Sequence, residues 1–122
     1  MHSEYTSTII DNGLSTVAKV LASTNVLVDI PSYVLCQANT SVQNTTGQFH
    51  ESFLYLTIDG LTSASTVTTL MNRTNSFAGQ SISFRGIALS TGTYNCSLWG
   101  YSDTDGDLLI TQCDLFTLAN LQ

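Results

Sequence analysis

Apolar residues recur at every second position along most of this chain. Val26, Val28 and Ile30 alternate with polar neighbours until Pro31-Ser32 breaks the run, and Val34, Cys36 and Ala38 resume it. A period of two puts successive side chains on opposite faces of an extended strand, so each run predicts a strand with one buried face. Leu54, Leu56 and Ile58 alternate with Phe53, Tyr55 and Thr57, and the Asp59-Gly60 pair after them predicts a tight hairpin turn. Residues 63–70, rich in Thr and Val, read as the next strand. Ile82 and Phe84 open another, which Ile87 and Leu89 continue past Gly86; a glycine inside a strand pattern predicts a bulge. Tyr94, Cys96 and Leu98 share one strand face, with Asn95, Ser97 and Trp99 on the other, and residues 108–118 form the last run. The polar stretches 39–48, 72–79 and 103–107 read as loops.

One segment is ambiguous. Leu14, Val17, Ala18 and Leu21 have helical spacing, but Asp11-Asn12-Gly13 before them is a hairpin signal, and the β reading is preferred. Short strands at regular spacing predict an all-β, antiparallel β-sandwich. Residues 1–25 read as an N-terminal arm or hairpin, open to exchange between subunits, and residues 26–122 as one sandwich domain. The histidine at position 2 falls in a terminus expected to be unstructured.

Composition narrows the function. The chain has 122 residues, 43% apolar, enough for one buried core without metal or disulfide support. Only 10% are charged, against the usual quarter or so. The net charge is −6, and the only cations are Lys19, Arg73 and Arg85. Nucleic-acid binding needs several Lys or Arg contacts to phosphate, so it is excluded as an expectation. Anionic membranes are disfavoured for the same reason. No apolar run approaches the roughly 18 residues that span a bilayer, so no membrane insertion is expected. Residues 1–10 lack a signal-peptide core, so an exported form would need another route, such as lytic release.

Candidate chemistry is sparse. The histidines are His2 and His50, and no second histidine follows His50-Glu51 at the spacing of a zinc-protease helix. No nucleophile elbow or phosphate-binding glycine loop occurs. Cys36 and His50 would make a thiol–imidazole pair only if folded together; a buried cysteine and a solvated loop histidine are the preferred reading. No catalytic residue and no enzymatic activity are expected. Asp103, Asp105 and Asp107 alternate in one loop, with Asp114 beyond, and such carboxylates suit calcium. The sixth position of a helix-flanked calcium loop is glycine, whereas here it is Leu108, so a solvated turn is preferred over a calcium site. No other cofactor is expected. Cys36, Cys96 and Cys113 admit one bridge and a free thiol, or three buried thiols. Sequons stand at Asn39, Asn44, Asn72 and Asn95. Trp99 and Tyr101, beside the acidic loop, are candidates for surface recognition, of sugars or of a protein partner.

Two resemblances add to this. Residues 81–100 read SISFRGIALSTGTYNCSLWG. With the runs at 54–60 and 108–118, this order of pieces resembles small jelly-roll modules at the ends of bacteriophage fibres and in bacterial surface proteins. Those modules are similar to the trimeric heads of complement and tumour-necrosis-factor proteins. The shared features are an apolar strand entering an Asp-Gly turn, and a strand ending in Leu-Ser-x-Gly-x-Tyr, here Leu89 to Tyr94. The resemblance covers residues 26–118. It implies a jelly roll, a virion or extracellular surface location, self-association with a trimer favoured, and contacts with other virion or surface proteins. Ile82, Phe84, Ile87, Gly92, Tyr94 and Cys96 also resemble the E-to-F strands of immunoglobulin domains, including a tyrosine corner at Tyr94. That second resemblance implies an adhesion module, with Cys36 as the disulfide partner of Cys96. Ser90 stands where such domains carry Asp, and no Trp follows Cys36 at the distance those domains place one, so the jelly roll is favoured.

Overall fold

The computed structural model describes residues 2–6, 13–59, 61–69 and 76–119. Eight strands are present among them: β1 (His2–Thr6), β2 (Lys19–Val28), β3 (Ser32–Asn44), β4 (Glu51–Ile58), β5 (Leu61–Thr69), β6 (Ser76–Leu89), β7 (Gly92–Ser102) and β8 (Leu108–Ala119). They form two four-stranded sheets, ordered β1-β8-β3-β6 and β2-β7-β4-β5, and every pairing is antiparallel. Successive strands β1 to β4 alternate between the sheets. This is the strand order of an eight-stranded jelly roll. An immunoglobulin sandwich places its first two strands together in one sheet; here β1 and β2 lie in opposite sheets.

The core sits between the sheets and follows the period-two pattern. On β3, Val34, Cys36, Ala38 and Val42 are fully buried; on β4, Leu54, Leu56 and Ile58 face them. Among the described residues, four irregularities interrupt the pairing, and two of them shift the buried face. Between Val20 and Ala22 the register with β7 slips by one residue, so Leu21 and Ala22 are both buried. On β8 an extra residue is taken up between Ile110 and Gln112, opposite Ser41 and Val42, so Ile110 and Cys113 both point inward. A bulge adds one residue to a strand and turns the following side chains to the other face. The other two lie in β6 between Arg85 and Ala88, opposite Tyr33 and Leu35, where Gly86 predicts a bulge, and in β5 between Thr62 and Ala64, opposite Thr57 and Leu56.

Gly100 faces inward on β7, and a β-carbon there would meet Leu21 Cδ1 at 2.7 Å. The bare backbone therefore makes room for Leu21 and Leu14. The turn between β4 and β5 opens on Asp59, whose φ of 49° is the left-handed conformation that a tight Asp-Gly hairpin turn demands.

Three expectations need correction. Residues 39–44 are not loop but the second half of β3, and residues 76–79 belong to β6. Polar composition hides the first of these segments because two of its inward residues, Thr40 and Asn44, are themselves polar. Residues 14–21 hold no helix, in line with the preferred reading; Leu14 is a buried loop residue and β2 starts at Lys19. His2 is not in an unstructured terminus but pairs opposite Ala119 in β1, at the edge of the first sheet. β2 runs from Lys19 to Val28, through positions 25 and 26.

The inward polar residues form a chain. Thr40 Oγ1 donates to Gln80 Oε1 at 3.3 Å, and Gln80 Nε2 donates to Ser52 Oγ at 2.6 Å. All three residues are buried. This links β3 and β6 of one sheet to β4 of the other. Removing one member strands the others without water, whereas replacing all three with apolar groups removes the need. Gln80→Ala is expected to cost about 1–3 kcal/mol in urea unfolding. The triple variant Thr40→Val, Ser52→Ala, Gln80→Leu is expected to recover most of that loss.

Candidate functional site

The outer face of the β2-β7-β4-β5 sheet carries the first feature. Register places Phe53 opposite Tyr101 and Tyr55 opposite Trp99. Both pairs stack: Phe53 and Tyr101 at 4.7 Å between centroids and 9° between planes, Tyr55 and Trp99 at 5.8 Å and 5°. All four rings are half-buried. Cross-strand aromatic pairs of this kind stabilise the sheet beyond the area they bury, by about 0.5–1.5 kcal/mol each. Trp99 Nε1 donates to Thr57 Oγ1 at 3.0 Å. The rings thus cover one another, and the tryptophan N–H is already used within the sheet.

The loop at residues 103–107 carries the second. Its aspartates do not converge. Asp103 Oδ1 lies 3.3 Å from His50 Nδ1, and Asp107 Oδ2 lies 3.4 Å from His50 Nε2. Asp105 Oδ1 instead accepts from the Thr16 backbone N–H at 2.9 Å and from Thr16 Oγ1. Among the described residues, no three His, Cys, Asp or Glu side chains are grouped as metal ligands. Calcium at Asp103, Asp105 and Asp107 would require each carboxylate to leave its present partner.

His50 is not a solvated loop residue but 5% exposed. The signal for this was available: His50, just before β4, shares one parity with the inward residues Ser52, Leu54 and Leu56. The surrounding backbone is closely tied. Thr45 N–H donates to Asp107 C=O, Asp103 N–H to Glu51 C=O, Ser102 N–H to Ser15 C=O and Gly106 N–H to Leu14 C=O. Gly106 takes a φ of 81°, open to glycine at little cost. Segments before β2, between β3 and β4, and between β7 and β8 therefore meet around one imidazole at one end of the sandwich. Neither ring nitrogen has a well-formed hydrogen bond there. Removing the ring leaves two half-exposed carboxylates over a vacated space. His50→Ala is expected to lower stability by about 2 kcal/mol. Amide exchange at residues 103–107 should accelerate more than exchange in β3.

The cysteines carry the third feature. All three are buried thiols. Cys36 contacts Cys96, with the sulfur atoms 3.1 Å apart, and not His50. The hydrogen bond with Cys36, followed by burial, pushes the Cys96 thiol far above the ordinary range. Cys113 is pushed up to about 11, by burial first and Asp114 second. A thiol that resists ionisation in the folded state favours folding less once the unfolded chain can ionise. Stability should therefore fall as pH rises from about 9 towards 11. Cys113→Ala should flatten that fall in denaturation curves taken at stepped pH.

Tyr94 Oη donates to the Ser90 carbonyl at 2.7 Å, closing the turn between β6 and β7 as a tyrosine corner does. Of the sequon residues, Asn44 is fully buried, and its amide is bonded to Gln48 C=O and to Thr46.

No protein-family model and no curated protein sequence matches the chain. Solved structures do match it in shape. A chain of infectious bursal disease virus, Gx strain, superposes with a TM-score of 0.60 at 13% identity, over 95% of this chain and 32% of that one. A structure from Bacillus endospore appendages, described as disulfide-linked pili, matches with a TM-score of 0.51 at 12% identity, over 96% and 88%. Latent PorU from Porphyromonas gingivalis matches with a TM-score of 0.51 at 11% identity, over 95% and 12%. This chain thus spans about a third of the viral chain and about an eighth of PorU. At such identities the likeness establishes the fold, an antiparallel jelly-roll sandwich.

Proposed function

We propose that this chain is a non-catalytic structural module of a virion: a fibre head, capsid decoration or protruding domain. It acts by associating with copies of itself, a trimer being favoured, and with neighbouring surface proteins. The observation that carries this reading is the complete jelly-roll strand order, shared in shape with a chain of an assembled virus. The likeness to an endospore appendage component supports the broader form of the reading, a building block on a particle or an extracellular surface.

The chemistry supports it in three further ways. Three cations in a chain of net charge −6 leave little to hold nucleic acid. The buried histidine has its two nitrogens turned to carboxylates, an arrangement that ties loops together. The aromatic face of the second sheet offers large, rigid side chains of the kind that anchor protein interfaces. A sugar-binding role for Trp99 and Tyr101 has less support, because their ring faces are turned to Tyr55 and Phe53. An immunoglobulin-like adhesion role has less support from the strand order.

Light scattering across a range of concentrations tests the reading. A homo-oligomer, with a trimer as the expected species, supports it, and a monomer at every concentration overturns it. Replacing Phe53 and Tyr101 by Ser together should weaken association at least tenfold if this face forms the contact. An oligomer indifferent to that change would place the contact elsewhere on the module.

A further inference from the structure

Cys36 and Cys96 are 60 positions apart in sequence and meet across the two sheets. Each lies on an interior strand of its sheet. Cys36 sits on β3, between Phe84 of β6 and Thr117 of β8. Cys96 sits on β7, between Thr24 of β2 and Ile58 of β4. Ladders on both sides therefore fix each backbone position. Both side chains are fully buried, and their sulfur atoms are 3.1 Å apart. At that distance no other side chain separates the sheets at this point. Cys113 does not share this contact: it lies on β8 opposite Thr40.

Two small apolar residues would fill the same space without bringing their atoms so close. The pairing of two thiols, head to head on two rigid supports, meets the main geometric demand of a disulfide, which is that the backbone need not move far to close it.

We propose that Cys36 and Cys96 are a disulfide-forming pair, a covalent staple between the two sheets that closes when the chain meets a small-molecule disulfide oxidant. The Cys36 thiol loses its proton to solvent, and its sulfur attacks the oxidant's S–S bond. That bond breaks, one thiolate leaves and takes up a proton, and a mixed disulfide remains on Cys36. Cys96, deprotonated in turn, attacks the Cys36 sulfur and releases the second small thiol. The two protein thiols are oxidised and the oxidant is reduced to two thiols. Both sulfurs are shut away from solvent in the finished sandwich. The exchange therefore belongs to the folding chain, before the sheets close, or to transient openings of the core. A staple of this kind suits a module that works outside reducing compartments. By tying residues 60 positions apart it restricts the unfolded chain strongly.

The test uses the full chain carrying Cys113→Ser, which leaves only this pair. The protein is refolded from denaturant in a mixture of oxidised and reduced glutathione, and in parallel with reductant. Both samples are then unfolded, alkylated and mapped by peptide mass. The proposal expects a linked 36–96 peptide and no alkylated thiol in the oxidised monomer. It also expects a thermal midpoint higher than the reduced form's by about 10 °C. Two alkylated thiols or glutathione adducts in oxidised, folded protein would overturn it, as would a linked form less stable than the reduced one. The unsubstituted chain provides the second reading: a 36–96 link with Cys113 alkylated supports the pair, and a link through Cys113 overturns it.

Discussion

The inward row of β3 is the constraint around which the rest is arranged. This strand is paired along both sides, with β6 and β8, and its inward side chains meet the second sheet directly. From Val34 to Asn44 every second residue is buried. A strand paired on both edges cannot slip by one residue without turning its whole apolar row to water. Its register therefore holds β6 and β8 in place, and its inward row positions the facing sheet. Where a neighbouring strand would fall out of step, a bulge restores the match. Those in β2 and β8 show the core overriding strict alternation.

The row is not uniformly apolar. Cys36 meets Cys96 near its middle, and Thr40 opens a buried hydrogen-bond chain through Gln80 to Ser52. Directional bonds between the sheets favour one relative placement, where a purely apolar interface would accept several. At one end of the sandwich, His50 lies between two aspartates of the 103–107 loop while Asp105 accepts a hydrogen bond from Thr16. The acidic loop thus spends its carboxylates on organising its own neighbourhood.

This economy bears on function. The polar side chains that invite a catalytic or metal-binding reading are engaged with protein partners, and the aromatic rings on the outer sheet face are stacked in pairs. The likeness in shape to components of a virus and of an endospore appendage is a likeness of fold.

The sequence by itself determined the fold class, because period-two apolar runs punctuated by Asp-Gly and Ser-Thr-Gly turns leave little alternative to a β-sandwich. It also located the bulge at Gly86 and the strands from Leu54 and Leu108, where inward positions are apolar and the pattern is local. Only the tertiary structure decided the rest. Residues 39–44 look like loop until Thr40 finds buried Gln80 and Asn44 turns inward, and His50 looks solvated until Asp103 and Asp107 arrive from more than fifty positions away. Which two of three cysteines meet is likewise a matter of register across two sheets. Alternation is a property of neighbours along the chain. Hydrogen-bond partners, parity shifts and sulfur contacts are set by strands distant in sequence, and no local pattern encodes them.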